Sequence, residues 1–128
     1  MASRLLQKKI KVDAFVSSPA KRAKKTAEFF CKEMGGTEDR VIFVTALYQA
    51  PAEIFFEVIG HFDDTFHTVA LFAHNPGITH FANQLVTEVQ LDNMPTCGVF
   101  AVQADTAHWA AFAKAKKEFL FFDYPKKG

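Results

Sequence analysis

The stretch that decides the fold is Thr68–Gly77, which reads TVALFAHNPG. Its first part, Thr68–Ala73, is a continuous apolar run, which is typical of a strand buried on both faces inside a parallel sheet. His74 and a turn-forming Asn-Pro-Gly triplet follow directly, and helical spacing of apolar residues extends over 78–86. The pattern predicts a central strand that ends at His74 and leads into a helix.

A second corner of the same kind lies upstream, where the apolar run Val12–Ser18 leads into a helix. Ser18 is a suitable N-cap residue, and Pro19 suits the first helical position because the missing N–H would have no partner there. From this corner apolar residues recur at steps of three and four until the glycine pair at 35 and 36. The inward positions of this helix are Ala23, Ala27, Phe30, Cys31 and Met34.

The rest of the chain repeats the alternation of strand and helix. We predict strands over Val41–Thr45, Gly98–Ala104 and Glu118–Phe122. A helix is predicted over Ala52–Ile59, with its inner face formed by Ile54, Phe55, Val58 and Ile59. This alternation predicts an α/β fold with helices on both faces of a sheet. The length of 128 residues and the fifteen phenylalanines favour a single domain over residues 1–128 with a substantial core.

Composition argues against several classes of protein. The formal net charge of +1 is unlike that of general nucleic-acid or membrane-surface binders, which carry a strong basic excess. Cys31 and Cys97 lie far apart, without the spacing of zinc or dithiol redox sites, so we expect both to be reduced and buried. The sequence has no apolar run long enough to span a membrane and no secretory hydrophobic region at its start, which favours the cytoplasm.

Charged residues follow the first buried strand, at the edge where α/β sheets bind ligands. Lys21, Arg22, Lys24 and Lys25 crowd the first turns of the helix, where the helix dipole disfavours each cation by ~0.3–1 kcal/mol. A bound anion would reverse that effect, and the guanidinium of Arg22 matches two phosphate oxygens. The alternative is that all four are solvated surface charges.

His74 is the second candidate, because it ends the most hydrophobic strand of the chain. A protonated imidazole can donate to a phosphate, and a neutral one can exchange protons near neutral pH. The alternative is a structural histidine that caps the next helix or bonds a backbone carbonyl. No pair of histidines has the spacing of a helical metal site, so we expect no metal. The remaining histidines are interpreted as surface or structural residues: His61, His67, His80 and His108.

Four motifs, taken together and in order, resemble the SixA-type branch of the histidine phosphatase superfamily. Ser17–Ala23, continuing to Glu28, is similar to the serine-proline-arginine segment of that family, and His74–Gly77 resembles its second histidine motif. Asn93–Val99 and Phe121–Pro125 resemble the SixA branch in particular. The match covers nearly the whole chain. It implies a three-layer α/β/α fold of the phosphoglycerate mutase type, with a mostly parallel sheet.

The resemblance implies a phosphohistidine phosphatase that acts on phosphoproteins through a phosphohistidine enzyme intermediate. It gives Arg22 the role of holding the phosphoryl group, with a lesser phosphate-binding role for Ser18. It makes His74 the catalytic cation that stabilises the same oxygens in the transition state. No metal and no organic cofactor are implied, and the partner is a phosphorylated signalling protein whose identity the sequence does not give. Ala73 stands where the family usually has glycine.

The main departure from the family is at the front of the chain. There the first strand of the family ends in an arginine-histidine pair whose histidine is the nucleophile, and this sequence contains no such pair. We therefore expect no turnover by this chain alone, and a sheet that lacks its first, internal strand. On this interpretation Met1 is internal to a longer protein. Two alternatives are a non-catalytic phosphoprotein- or phosphate-binding regulatory domain and a small-molecule phosphatase of the same superfamily.

Overall fold

A computed structural model of the chain describes residues 10–37, 40–95 and 98–124. The alternation of strands and helices predicted from the sequence is confirmed. The elements in chain order are strand β1 (Ala14–Ser17), helix α1 (Lys21–Glu33), strand β2 (Val41–Phe43), helix α2 (Ala52–Gly60), strand β3 (Val69–Phe72), helix α3 (Gly77–Leu85), strand β4 (Val99–Ala104) and strand β5 (Lys117–Asp123). No helix within these ranges is long and apolar enough to cross a membrane.

Strand β1 is the middle strand of a three-stranded parallel sheet with the order β2, β1, β3. The register places Val16 of β1 beside Ile42 on one side and Leu71 on the other. Every residue of β1 is buried, whereas every residue of β3 is half-buried. The prediction that Thr68–Ala73 contains a central strand is therefore wrong for the described chain, because β3 pairs there with one neighbour only.

Strands β4 and β5 form an antiparallel pair that is separate from the parallel sheet in the described ranges. Its register runs from Val99 opposite Asp123 to Ala104 opposite Lys117. The mostly parallel sheet that was expected therefore consists of three parallel strands and a separate hairpin. Val99 packs against the same apolar cluster as Phe15 of β1, so the hairpin shares a core with the parallel sheet.

The alternation of side chains along β1 produces two cores, one on each face of the sheet. Phe15 packs towards α1 with Phe30, which is 3% exposed. Val16 packs towards α2 and α3 with Phe55 and Phe81, whose ring centroids are 4.9 Å apart. Helices thus cover both faces of the sheet, and the predicted three-layer arrangement is confirmed.

Helix α1 begins later than the sequence predicts. Its first residue is Lys21 and Ala20 occupies the N-cap position, so Ser18 is not the N-cap and Pro19 is not the first helical residue. The reason is that Ser18 still belongs to the sheet, since its N–H donates to the carbonyl of Phe72 at 2.9 Å. The predicted inner face is confirmed, with the buried residues Ala23, Ala27, Phe30 and Cys31.

The end of α1 requires a glycine. Gly35 has a φ of +92°, a left-handed conformation that strains residues with a side chain. The next N–H, that of Gly36, donates to the carbonyl of Cys31 at 2.8 Å, and the Sγ of Cys31 lies 3.2 Å from the carbonyl of Thr37. Cys31 is buried as predicted, whereas Cys97 lies outside the described residues.

Two aspartates join distant segments near the amino ends of the strands. Asp13 accepts hydrogen bonds from the backbone N–H groups of His67 at 2.8 Å and Thr68 at 3.0 Å, and these bonds lower the pKa of its carboxyl. Asp64 lies 2.9 Å from the Nδ1 of His108 and accepts from the N–H of Trp109 at 2.9 Å. The bond with His108, followed by the one from Trp109, lowers the pKa of Asp64.

Replacing Asp13 should destabilise the fold in a pH-dependent way. Because the carboxyl has a lowered pKa when folded, its contribution is complete above the unfolded value of about 3.9 and is lost as pH falls through the folded pKa. Urea unfolding should therefore show a lower midpoint for Asp13→Asn at pH ~7 and a much smaller difference near pH ~2. Asp105→Asn is the control, since that exposed carboxylate makes no hydrogen bond in the described parts of the chain. A difference of equal size at both pH values would contradict this account.

Candidate functional site

The two corners singled out in the sequence lie side by side at one edge of the sheet. Strands β1 and β3 are parallel neighbours, with Ser17 opposite Phe72. The chain leaves β1 towards α1 and leaves β3 towards α3, so Arg22 and His74 follow the carboxyl ends of adjacent strands. Ligands of α/β sheets bind at this edge. The structure therefore brings the two predicted segments to one place.

The corner after β1 is closed by two buried serines. Ser17 and Ser18 are both 0% exposed. The hydroxyl of Ser17 donates to the carbonyl of Ser18 at 2.8 Å, and the hydroxyl of Ser18 accepts the N–H of Ala20 at 3.1 Å. These bonds give Ser18 a clear structural role in shaping the turn before α1. Its phosphate-binding role stays a prediction.

Arg22 lies exposed in the first turn of α1, which contains no acidic residue. Within residues 10–37, 40–95 and 98–124, neither Arg22 nor any of Lys21, Lys24 and Lys25 forms an ion pair. Lys24 instead places its Nζ 5.7 Å from the centre of the Phe43 ring. The guanidinium of Arg22 is thus available to an anion at the helix start, where backbone N–H groups add to the positive potential.

His74 is exposed at the corner after β3. Its carbonyl accepts the N–H of Ile78 at 3.2 Å, while its ring has no hydrogen-bond partner in the part of the chain that the structure describes. The sequence left open that the ring of His74 bonds a backbone carbonyl. In the described structure it is the ring of His61 that does so, with its Nδ1 2.8 Å from the carbonyl of Glu57. The imidazole of His74 is therefore available for a ligand.

A polar stripe that begins in the turn before α3 and continues along the helix was missed in the sequence. Asn75, in the turn before the helix, and Thr79 and Asn83, one turn apart on α3, recur at every fourth position and face the segment that follows the helix. The amide of Asn75 donates to the carbonyl of Met94 at 3.0 Å, and the hydroxyl of Thr79 accepts the N–H of Met94 at 2.8 Å. The side chain of Asn83 exchanges two hydrogen bonds with the backbone of Leu91, at 2.8 and 2.7 Å. The spacing of four was the signal that could have revealed this stripe.

Thr79 is the centre of the stripe and is 3% exposed. Its hydroxyl donates to the side-chain oxygen of Asn75 while it accepts the N–H of Met94, so the buried oxygen is fully satisfied. Because Asn75 adjoins His74, this network fixes the segment ending at Pro95 against the corner that carries the histidine. The histidine motif, His74–Gly77, is thereby in direct contact with the motif that begins at Asn93.

The first residue of α3, Gly77, has no room for a side chain. A Cβ at this position would lie 2.3 Å from the carbonyl oxygen of Ala50. The absence of a side chain therefore allows the helix to begin against the connection between β2 and α2. This close approach sets the position of the corner that contains His74.

Substituting Gly77 by alanine should destabilise the fold because the new methyl group meets backbone, which cannot rotate away. Overpacking of this kind costs about 1–3 kcal/mol in the free energy of unfolding. Gly60→Ala is a matched control, since nothing lies within 4 Å of a Cβ there, and it should be neutral or stabilise α2 by up to about 1 kcal/mol. Chemical denaturation measures both changes, and equal effects of the two substitutions would contradict the close contact.

Thr79→Val should lower the free energy of unfolding by about 1–3 kcal/mol, because the N–H of Met94 and the oxygen of Asn75 lose their buried partner. Thr87→Val is the control on an exposed threonine and should change stability by less than about 0.5 kcal/mol. Thermal and urea unfolding give the comparison. A Thr79→Val protein as stable as the control would show that the stripe does not hold the segment.

Solved structures of SixA proteins share this fold. A protein described as the phosphohistidine phosphatase SixA of Nakamurella multipartitia has a TM-score of 0.77 at 17% identity, over 98% of this chain and 78% of that one. The corresponding protein of Agrobacterium tumefaciens has a TM-score of 0.77 at 19% identity, over 97% and 75%. The protein histidine phosphatase SixA complexed with tungstate has a TM-score of 0.75 at 15% identity, over 94% and 74%.

No family profile matches the sequence, and no curated protein matches it with significance. The structural comparison nevertheless covers almost the whole chain with high similarity. The fold is that of the SixA-type histidine phosphatases, and the predicted phosphoglycerate mutase-like architecture is confirmed.

Proposed function

We propose that the chain is a phosphohistidine phosphatase domain whose substrate is a phosphorylated protein. The observation that carries this proposal is the pairing of β1 with β3, which puts the turn before Arg22 and the turn containing His74 at one sheet edge. Both side chains are exposed, and both lack a partner within the described ranges. A tetrahedral anion is the ligand that suits a guanidinium, an imidazole and a helix start together.

Arg22 holds the phosphoryl oxygens in this proposal. A guanidinium offers two parallel N–H groups, which match two oxygens of one phosphoryl group. The neighbouring lysines raise the positive potential around the start of α1, where no acidic residue offsets them. A bound phosphoryl group turns this unfavourable crowding of cations into an attraction.

His74 acts as the second half of the clamp. In its cationic form the imidazole donates a hydrogen bond to a phosphoryl oxygen, and this bond strengthens as negative charge develops in the transition state. Groups positioned before the reaction do not reorganise during it, which is why such contacts contribute to rate as well as to binding. Ser18 supports the clamp by holding the turn before α1.

The reaction implied by the resemblance to SixA-type histidine phosphatases is an in-line transfer of the phosphoryl group to a histidine. Hydrolysis of that phosphohistidine then releases phosphate. Arg22 and His74 supply binding and charge stabilisation in that reaction but do not supply the nucleophile. A second candidate, which keeps the same anion site without turnover, is a phosphoprotein-binding regulatory domain. Both candidates require the same anion site, and they differ in the release of phosphate.

Tungstate is a suitable probe of the site, because a SixA protein of this fold has been solved in complex with it. We expect tungstate or inorganic phosphate to bind the chain, and Arg22→Ala or His74→Ala to weaken binding by roughly tenfold or more, as expected for the loss of a hydrogen bond to a charged group. Isothermal titration calorimetry measures the change. Lys32→Ala and His80→Ala are the controls, since Lys32 is exposed in the last turn of α1 and His80 is exposed on α3. Equal affinities of all four variants would contradict the assignment.

A turnover assay separates the two candidate functions. Phosphate release from a phosphohistidine-bearing protein is followed with the chain joined to an upstream segment that supplies the arginine-histidine pair, and with the same protein carrying His74→Ala. Release that disappears in the variant supports the phosphatase. Binding of the phosphoprotein without release, lost in Arg22→Ala, supports the regulatory domain instead.

A further inference from the structure

An open apolar groove lies between β2 and α2, on the face of the sheet opposite α1. It has a volume of about 410 Å³. Val16 and Ile42 are opposite each other in register and therefore point to the same face of the sheet, which forms the floor of the groove. One wall comes from α2 and the connection after it, through Ile54, Val58 and Phe66.

The polar residues that line the groove are Glu57, His61 and Asp63, and all three are exposed. Two of them have polar atoms engaged locally. The Nδ1 of His61 lies 2.8 Å from the carbonyl of Glu57, and the carboxylate of Asp63 accepts the N–H of Thr65 at 2.8 Å. Small-molecule sites usually have several polar groups converging on an enclosed ligand, which this groove lacks. An apolar floor with a charged margin is instead typical of a protein interface.

The margin of the groove is acidic. Glu53 and Glu57 are exposed one turn apart on α2, and Asp63 follows just beyond the helix. Within the residues that the structure describes, none of these three carboxylates forms an ion pair. Like charges four residues apart on a helix repel each other, so an unbalanced pair of this kind gains from a cationic partner.

The floor of the groove reaches the open edge of the sheet. Strand β2 is the outer strand of the parallel sheet in the described chain, and Ile42 is 46% exposed there. The exposed side chain of Ile42 extends the apolar surface of the groove to the strand edge, and contiguous apolar surface of this kind is typical of sites that bind another chain. The groove thus combines uncovered apolar area with a margin of one charge sign.

We propose that this groove docks a basic amphipathic helix of a partner protein. Its apolar side chains would pack on Ile42, Ile54 and Val58, and its lysines or arginines would pair with Glu57 and Asp63, as in other helix-in-groove complexes. The groove includes neither Arg22 nor His74, so this proposal does not rest on the proposed function.

Short synthetic peptides test the proposal. One carries leucines on one helical face and lysines on the other, and a second has glutamates in place of the lysines. In fluorescence anisotropy the lysine peptide should bind the full chain, the glutamate peptide should not, and binding should weaken as salt is added. Equal binding of both peptides, or binding that salt leaves unchanged, would overturn the proposal.

Variants of the chain localise the binding. Val58→Asp should abolish binding, and Glu57→Gln should weaken it by roughly twofold to fivefold, the range for one exposed ion pair. Because Val58→Asp can also unfold the protein, the exposed substitution Glu57→Lys is decisive, and it should weaken binding by roughly tenfold while leaving the circular dichroism spectrum unchanged, since it replaces an attraction by a repulsion. Glu88→Gln is the control, since Glu88 is exposed and does not line the groove. Unchanged affinity in Glu57→Lys would show that the peptide binds elsewhere.

Discussion

The parallel pairing of β1 with β3 is the interaction on which the candidate site depends. A single hydrogen bond, from the N–H of Ser18 to the carbonyl of Phe72, closes this ladder at its carboxyl end. Beyond it both chains leave the sheet, one towards Arg22 and the other towards His74. Segments more than fifty positions apart in the sequence therefore leave the sheet at the same edge, because two short strands share a register.

Each corner is then fixed by contacts of its own. The buried hydroxyls of Ser17 and Ser18 hold the turn before α1, while the close approach of Gly77 to Ala50 sets the start of α3. These constraints act on backbone, so the cation and the imidazole stay exposed and without local partners in the described ranges. A site built this way has rigid support and uncommitted functional groups, which is the condition for binding an anion without first breaking protein contacts.

Local patterns predicted the elements better than their arrangement. The inner face of α1 was correct because the helical period is encoded over a few residues, and Gly35 marks its end. A sheet that lacks an internal strand was expected, but the outer position of β3 and the pairing of β4 with β5 as a separate hairpin in the described ranges were not predicted, because strand order depends on pairings between distant segments. Such long-range contacts leave no local pattern in the sequence. The hydrogen bond from the N–H of His67 to Asp13, for example, joins residues 54 positions apart. For the site, residue type and position after a strand indicated Arg22 and His74 as candidates, while the adjacency of the two preceding strands is known only from the β1–β3 register.

The stripe on α3 makes the length of that helix as important as its composition. Thr79 and Asn83 both reach the following segment only because they lie one helical turn apart on α3. Inserting or deleting one residue between them would rotate the later side chains by about 100° around the helix axis. The adjoining segment would then lose its attachment, although every hydrogen-bonding side chain was still present. Homologous chains that use this device should therefore vary in loop length outside α3 and keep the helix free of gaps.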